Sequence, residues 1–415
     1  MSSVRQWLQK GTWAILDRGL FGLSGFMLNV LLARWLSPQD YGAFTLLHGL
    51  FWFVGAFHTA LWVEPLLVFG PGYDRDRLPV YLGALFYLHF GITLLTSLLL
   101  VLITAGTGLV HSFTNPLWGV ILSGPFILFL WLMRQACYVR LEPELAAIAG
   151  TLYTIAMLLG AYLMNHYEWL SATGAFYVMG ISSGVAGLWL AFRLQLDLSH
   201  SFNIKVWRQV LTRHWHFGRW SAATQGLMIA PENLYYIALT TWVGLEATAT
   251  LKALRNLNTP ILRINIALTS LLVPSLVEVR DQPQFMRTVR AALATFTLGP
   301  LLSWLLLGIL NQPLVGWLYQ GKYQDSAALI WMLGIGPIFG GIVVVLNSTL
   351  RAMELPQKVF QAFCLFTPVN LLLTLGLMIT QGVLGTVIGL SISTILQAGV
   401  MAGLFLRAYR ENTNG

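Results

Sequence analysis

The chain alternates between long apolar stretches and short polar segments, and this pattern predicts its elements. Each stretch is about 20 residues or longer, the length an α-helix needs to cross a bilayer. Barrel strands are about half as long and alternate in polarity, so helices fit better. The pattern predicts an all-α integral membrane protein with about twelve transmembrane helices, at 11–35, 42–69, 79–105, 114–136, 143–165, 169–192, 217–242, 246–276, 289–311, 325–350, 357–380 and 382–406.

Composition narrows the class further. Hydrophobic residues make up 56% of the chain and charged residues 10%, whereas soluble domains are about a quarter charged. The basic residues are spread over short loops, which indicates contact with anionic lipid and not with nucleic acid. Cys137 and Cys364 lie in or beside apolar stretches, so we expect no disulfide, metal site or cofactor. We find no P-loop or catalytic motif, and we expect no enzyme activity.

The Lys and Arg residues predict the orientation of the spans. If the N-terminus is cytoplasmic, the tails and inner loops hold eighteen of the 24 basic residues, Arg134 among them, and the outer loops hold only Arg34 and Lys322. The positive-inside rule therefore predicts that both termini are cytoplasmic. The first stretch contains Asp17 and Arg18 and lacks a cleavage site, so we expect a retained helix and not a signal peptide.

The longest polar gap divides the chain in the middle. We expect an N-terminal six-helix bundle at 1–192, a cytoplasmic amphipathic linker at 193–216 and a C-terminal six-helix bundle at 217–415. In the linker, apolar residues share one helical face and basic residues lie off it, which predicts a short interfacial helix; a solvated linker is the alternative. The apolar residues are Ile204, Trp207, Leu211 and Trp215.

The two halves also resemble each other in sequence. The segments at 31–44 and 238–251 align through Trp35 and Trp242, and the following spans align through Pro65 and Pro274. Because six spans is an even number, both halves enter from the same side of the membrane. They would therefore be related by a pseudo-twofold along the membrane normal, with a substrate site between them near the midplane.

Four basic residues lie within or at the ends of apolar stretches, and they are the candidates for substrate binding. A cation at the bilayer centre costs about 2.5–3.5 kcal/mol, so these side chains should face water, counter-charges or ligand. If the eighth span is one helix, its polar residues share a face that would line a cavity. Snorkelling to the headgroups is the alternative for Arg18, Lys252 and Arg255. The candidates are Arg18, Lys252, Arg255, Asn256 and Arg263.

The acidic residues within spans are candidate partners or coupling sites. They are Asp17, Glu64 and Glu232, and Gln225 lies on the same face of the seventh span as Glu232. These groups would bind H⁺ or Na⁺ in a coupled cycle, or they would be fixed partners of Arg18 and Arg263. His214 and His216 lie in the basic linker, where we expect a solvated face. We expect the histidines within spans to be packed or hydrogen-bonded.

Three segments resemble a known family: LLARWLSPQDYGAFTL at 31–46, GWLYQGKYQDSAALIWML at 316–333 and GVLGTVIGLSIS at 382–393. Together they resemble the polysaccharide flippases of the multidrug/oligosaccharidyl-lipid/polysaccharide (MOP) superfamily. The resemblance implies a V-shaped, MATE-like pair of six-helix bundles with a cationic central cavity. It also implies a bacterial inner-membrane transporter of undecaprenyl-diphosphate-linked sugars. No site residue is transferred by these segments.

The hypothesis from the sequence is therefore a flippase for polyprenyl-diphosphate-linked oligosaccharides that works by alternating access. Its partners would be the anionic lipid-linked glycan, membrane lipids, and a glycan polymerase with glycosyltransferases. One alternative is a multidrug or small-molecule cation antiporter on the same fold. The other is a non-transporting membrane scaffold in a polysaccharide assembly complex.

Overall fold

The computed structural model describes residues 2–72, 77–107, 114–280, 282–353 and 355–414, and within these ranges it contains helices and no strand. The chain divides by its contacts into two compact units, Met1–Leu234 and Tyr235–Gly415. Both units are built from helices that are apolar on most faces, as expected for helices that must satisfy their own backbone in lipid.

The first unit holds eight helices and most of a ninth. The chain passes from α2 to α3 through a π-helical segment at Thr59–Val63, and α3 ends in a 3₁₀ turn at Gly70–Gly72. The helices are α1 (Ser2–Trp35), α2 (Pro38–His58), α3 (Glu64–Phe69), α4 (Leu78–Thr107), α5 (Thr114–Val139), α6 (Pro143–His166), α7 (Ala172–Arg193), α8 (Leu198–Ser201) and α9 (Ile204–Trp242).

The second unit begins near the end of α9. A 3₁₀ segment at Gln324–Leu329 precedes α14, and α16 contains a non-helical residue, Gly382, at φ 58°. The helices are α10 (Leu245–Asn256), α11 (Thr259–Glu278), α12 (Phe285–Ile309), α13 (Asn311–Tyr319), α14 (Ile330–Leu333), α15 (Ile335–Ala352) and α16 (Pro356–Asn414).

These helices confirm the predicted all-α membrane fold. In the described residues, nine helical stretches are long and apolar enough to cross a membrane, and the last of them, Gln357–Arg410, is divided at Gly382. Helix α9 and the pair α10–α11 occupy the places of the seventh and eighth predicted spans. The chain therefore has a helical element for each of the twelve predicted spans.

The linker differs from its prediction. Residues 204–216 are the first turns of the continuous helix α9 and not a separate interfacial helix. Val210 and His214 are the buried side chains in this segment, whereas Ile204 is 72% and Trp215 57% exposed. The contact division falls inside α9, so the linker and the start of the seventh span belong to the first unit.

Proline residues determine how several helices pack. Pro125 lies inside α5, and because proline has no N–H, the carbonyl of Ile121 four residues earlier has no helical donor. The hydroxyl of Ser97 on α4 donates to that carbonyl at 2.9 Å. The ring of His89, also on α4, lies 2.9 Å from the carbonyl oxygen of Pro125 itself. These bonds fix α4 against the proline of α5.

The second unit repeats this arrangement with a glycine. Pro300 inside α12 leaves the carbonyl of Phe296 without its helical donor. Gly341 of α15 packs directly on that carbonyl, and a Cβ there would overlap the oxygen. The core formed by α11, α12, α15 and α16 therefore depends on the absence of a side chain at this position.

Candidate functional site

A buried ion pair joins α1 to α5 in the first unit. Asp17 is 1% and Arg134 7% exposed. The guanidinium donates to Asp17 Oδ1 from Nη2 at 2.7 Å and from Nε at 3.1 Å, and the Tyr138 hydroxyl donates to Oδ2 at 2.7 Å. The guanidinium also lies 3.9 Å from the centre of the Phe21 ring. The carboxylate is thus bound on both oxygens.

This pair corrects two expectations. Charge counting predicts Arg134 in an inner loop, but it lies within α5 and is buried. Asp17 was a candidate partner of Arg18, and its partner in the structure is Arg134. From sequence alone, Arg134 at the end of a span is assigned to a loop, because its counter-charge, Asp17, lies 117 positions away on another helix. The signal that points to Arg134 is the acid within span one, which needs a buried base.

Arg18, the next residue on α1, is in a different environment. Its side chain is exposed. Within the described part of the chain, no carboxylate lies within 4.0 Å of it. The two neighbouring charges of α1 therefore differ, since one is neutralised inside the bundle and the other is on its surface.

Three of the candidate residues lie on α10. Lys252 and Arg255 are half-buried, and Asn256 is 5% exposed. Arg255 Nη1 donates to the hydroxyl of Tyr236 on α9 at 3.2 Å. The carbonyl of Ala253 accepts a bond of 2.9 Å from the Tyr319 hydroxyl, which attaches α10 to the end of α13. Helix α10 is thus held in place while carrying two basic side chains.

Arg263 lies on the next helix. The sequence predicts the eighth span as one helix, whereas the structure has a turn at Leu257 and Asn258, after which α11 begins at Thr259. Pro260 lies in the first turn of α11, where its missing N–H has no consequence and its φ favours initiation. Both turn residues keep right-handed helical backbone angles, and the shared face predicted for Lys252 and Arg263 stays a prediction across this turn. The Arg263 side chain is exposed, and no carboxylate of the described residues lies within 4.0 Å of it.

Glu64 and Gln225, both predicted as partners or coupling groups, contact each other. Glu64 begins α3 and is half-buried. Its carboxylate accepts a very short hydrogen bond from the Ser221 hydroxyl and a bond of 3.5 Å from Gln225 Nε2. The polar face of α9 is therefore directed at Glu64. Glu232 lies further along α9, and its side chain is outside the described residues.

His214 corrects the expectation of a solvated linker face. It is 2% exposed; its Nδ1 is 3.0 Å from the Leu61 carbonyl, and its Nε2 is 2.7 Å from the Tyr81 hydroxyl. Pro65, four residues after Leu61, has no N–H to donate to that carbonyl. Nδ1 therefore carries the proton and Nε2 accepts. Burial lowers the pKa of His214 to about 4, so the ring is neutral at pH 7.

Gly218 brings α9 still closer to the same segment. A Cβ at this glycine would lie 2.6 Å from the Ala60 carbonyl oxygen. The start of α9 is thus packed against the π-helical turn ahead of Glu64, which positions Ser221 and Gln225. The histidines within spans are hydrogen-bonded, as predicted; His58 Nε2 lies 3.1 Å from His89 Nδ1.

The residues that the structure describes give no support for a metal centre. Among the residues that the structure describes, no group of three or more His, Cys, Asp or Glu is arranged to hold a metal ion. Cys137 is buried and Cys364 exposed, and both are free.

Sequence comparisons find no relative, and structural comparisons find several. No family model and no curated protein matches the chain. An inward-facing multidrug resistance MATE family transporter of the MOP superfamily has a TM-score of 0.73 at 15% identity, with 97% of this chain and 98% of that one covered. The lipid II flippase MurJ, in an inward closed conformation, has a TM-score of 0.71 at 14% identity, covering 96% and 89%.

A third similar structure is a MOP superfamily transporter from Pyrococcus furiosus, described as having a binding pocket of reverse polarity that suggests a different function. Its TM-score is 0.62 at 14% identity, and 94% of each chain is covered. Similarity at identities this low is evidence for the fold only. All three proteins are transporters or flippases. The chain is therefore a multi-pass membrane protein with the fold of the MOP superfamily transporters.

Proposed function

We propose that this protein flips a polyprenyl-diphosphate-linked oligosaccharide from the cytoplasmic to the outer leaflet of the bacterial inner membrane, for polysaccharide biosynthesis and export. One observation carries the proposal. Arg18, Lys252 and Arg263 lie in or beside predicted spans, and none has a carboxylate within 4.0 Å among the described residues. The fold shared with the lipid II flippase MurJ supports it.

The chemistry of the headgroup explains why these residues matter. A diphosphate is strongly hydrated and cannot cross bare hydrocarbon, so a transporter must replace its water. Arginine offers a planar fork of donors that matches phosphate oxygens, and lysine adds a point charge. A hydrogen bond to a charged group contributes about 1.5–3 kcal/mol. Each of the side chains of Arg18, Arg255, Arg263 and Lys252 would thus stabilise the headgroup at a step of alternating access.

Arg255 is held beside the end of α9. Its Nη1 donates to the Tyr236 hydroxyl at 3.2 Å, which positions the guanidinium. Asn256, the next residue on α10, is buried. The glycan polymerase and glycosyltransferases of the same assembly route are the expected protein partners.

A cell-based export assay tests the proposal at Arg263. We expect Arg263→Ala to reduce export at least tenfold, from the loss of one charge-assisted hydrogen bond. Arg263→Lys should retain part of the activity. The matched control is Arg208→Ala, which removes an exposed cation from the cytoplasmic end of α9. Export by Arg263→Ala at the level of the control would remove Arg263 from the substrate path.

A second function, a multidrug or small-molecule cation antiporter, is favoured by a different observation. Glu64 is a half-buried carboxylate bonded only to neutral groups in the described residues, Ser221 and Gln225, which suits a site that binds H⁺ or Na⁺. The similarity to a multidrug resistance MATE transporter agrees with it. Proton-driven efflux of a cationic dye from vesicles, abolished by Glu64→Gln, would establish this function. No efflux above that of empty vesicles would exclude it.

A further inference from the structure

A cavity of about 630 Å³ lies in the first unit, at the end of α3 and along the start of α9. The residues described around it are Phe69, Arg213, His216, Phe217 and Ser221. Four of them lie on α9, and His216 and Phe217 are three and four positions after Arg213, with Ser221 four positions after Phe217, so they share a broad face of that helix. None of the described lining residues is one of the basic candidates Arg18, Lys252, Arg255 and Arg263.

The walls of the cavity are aromatic. The rings of Phe69 and Phe217 meet edge to face, with centres 5.6 Å apart. The buried ring of His214 lies behind Phe69 at 6.2 Å and belongs to the hydrogen-bonded packing of α9. Phe69 is therefore held in position, and the two phenyl rings form an apolar surface on which a hydrocarbon chain can lie.

The surface of the cavity is almost entirely apolar, and charged groups adjoin it. Arg213 places its guanidinium 4.0 Å from the centre of the Phe69 ring, and its side chain and that of His216 are both exposed. Stacking leaves the N–H groups at the guanidinium edge available for oxygen acceptors. The carboxylate of Glu64 accepts a hydrogen bond from the Ser221 hydroxyl. Eight residues of helix separate Arg213 from Ser221, or about 12 Å, so one end of the cavity is basic and the other adjoins a carboxylate.

We propose that this cavity binds a membrane lipid of the cytoplasmic leaflet, with its phosphate at Arg213 and His216 and the first part of an acyl chain on Phe69 and Phe217. The basic end lies toward the start of α9, which the positive-inside rule places at the cytoplasmic surface. Anionic headgroups there attract Lys and Arg. The volume suits a headgroup and a short length of chain, within the range of small-ligand sites. This site does not depend on the transport proposal.

Native mass spectrometry of the purified full chain in detergent, titrated with phosphatidylglycerol, tests the site. We expect retained lipid in the wild-type protein and binding weakened about tenfold in Arg213→Ala, the equivalent of one lost charge-assisted hydrogen bond. Arg208→Ala is the matched control, because it removes a base from another face of the same helix and should bind as the wild type does. Arg213→Gln serves as a second variant should the alanine protein fold poorly.

Two results would overturn the proposal. One is equal binding of phosphatidylglycerol by the wild-type protein and by a folded Arg213 variant. The other is displacement of the lipid by inorganic phosphate at equal concentration, which would identify a soluble phosphate as the ligand. A rise in melting temperature with phosphatidylglycerol, seen in the wild-type and Arg208→Ala proteins and absent in Arg213→Ala, would support it. None of these readouts requires transport, so failure of the flippase proposal would leave them unchanged.

Discussion

Removing the Arg134 guanidinium tests how strongly the buried ion pair holds α1 to α5. Arg134 is 7% and Asp17 1% exposed, and the guanidinium supplies two of the three side-chain bonds to the carboxylate. Arg134→Ala leaves a buried charge with the Tyr138 hydroxyl as its remaining donor. Breaking one side of such a pair costs about 3–5 kcal/mol. Loss of the Phe21 contact adds to this.

The assay is thermal unfolding of the purified protein in detergent, for Arg134→Ala, Asp17→Asn and the double variant that combines them. The control, Arg193→Ala, removes an exposed arginine from the end of α7 and should change stability by less than about 0.5 kcal/mol. Asp17→Asn in the Arg134→Ala background should recover stability relative to Arg134→Ala alone, because it removes the buried charge. The reasoning is refuted if Arg134→Ala is as stable as Arg193→Ala. It is also refuted if the stability lost in the double variant equals the sum of the losses in Arg134→Ala and Asp17→Asn.

Three further predictions concern packing, protonation and access. Gly341→Ala should destabilise the protein by about 1–3 kcal/mol, because its Cβ meets a carbonyl of α12, whereas Gly336→Ala on the same helix has open space. Burial lowers the pKa of His214 to about 4, so the stability that it contributes is present above pH 6.5 and is lost, by up to about 3 kcal/mol, as the pH falls toward 4. Arg263→Cys in a Cys364→Ser background should react with a membrane-impermeant thiol reagent.

Each of these predictions has a contrary outcome. Equal melting temperatures for the two glycine variants would mean that α15 can move away from α12. For His214, the test is the pH dependence of unfolding compared with His214→Gln, and identical slopes between pH 6.5 and 4 would contradict the buried neutral ring. For access, Ile264→Cys is the control, since it lies about 100° around the same helix and should face acyl chains. Equal labelling of the two cysteines would argue against a polar path at Arg263.

The helical fold was predictable because hydropathy and length alone determine where a chain crosses a bilayer. The turns were predictable where a local signal exists. Ser37 caps α2 by accepting the Asp40 amide at 3.0 Å, and Gly382 divides α16 at the predicted boundary between the last two spans. The two aligned tryptophans, Trp35 and Trp242, each end a helix.

The site was predictable only in part, because the decisive contacts join residues far apart in sequence. Charge counting placed Arg134 in a loop, since nothing near it shows that Asp17 is its partner. The basic neighbours of His214 predict a solvated ring, but the ring is buried and hydrogen-bonded to the Leu61 carbonyl, to which Pro65 has no N–H to donate. The sequence predicts the eighth span as one helix, and in the structure a second helix begins there, with Pro260 in its first turn. In each case the missing information was the position of another helix.

Flipping by the purified protein in proteoliposomes tests the central claim most directly. The probe is a fluorescent polyprenyl-diphosphate-linked oligosaccharide, and its transfer between leaflets is measured by quenching from outside. The account predicts transfer by the wild-type and Arg208→Ala proteins and a loss of at least tenfold in Arg263→Ala. Transfer by Arg263→Ala at the wild-type rate, or none by the wild-type protein above that of empty liposomes, would contradict it.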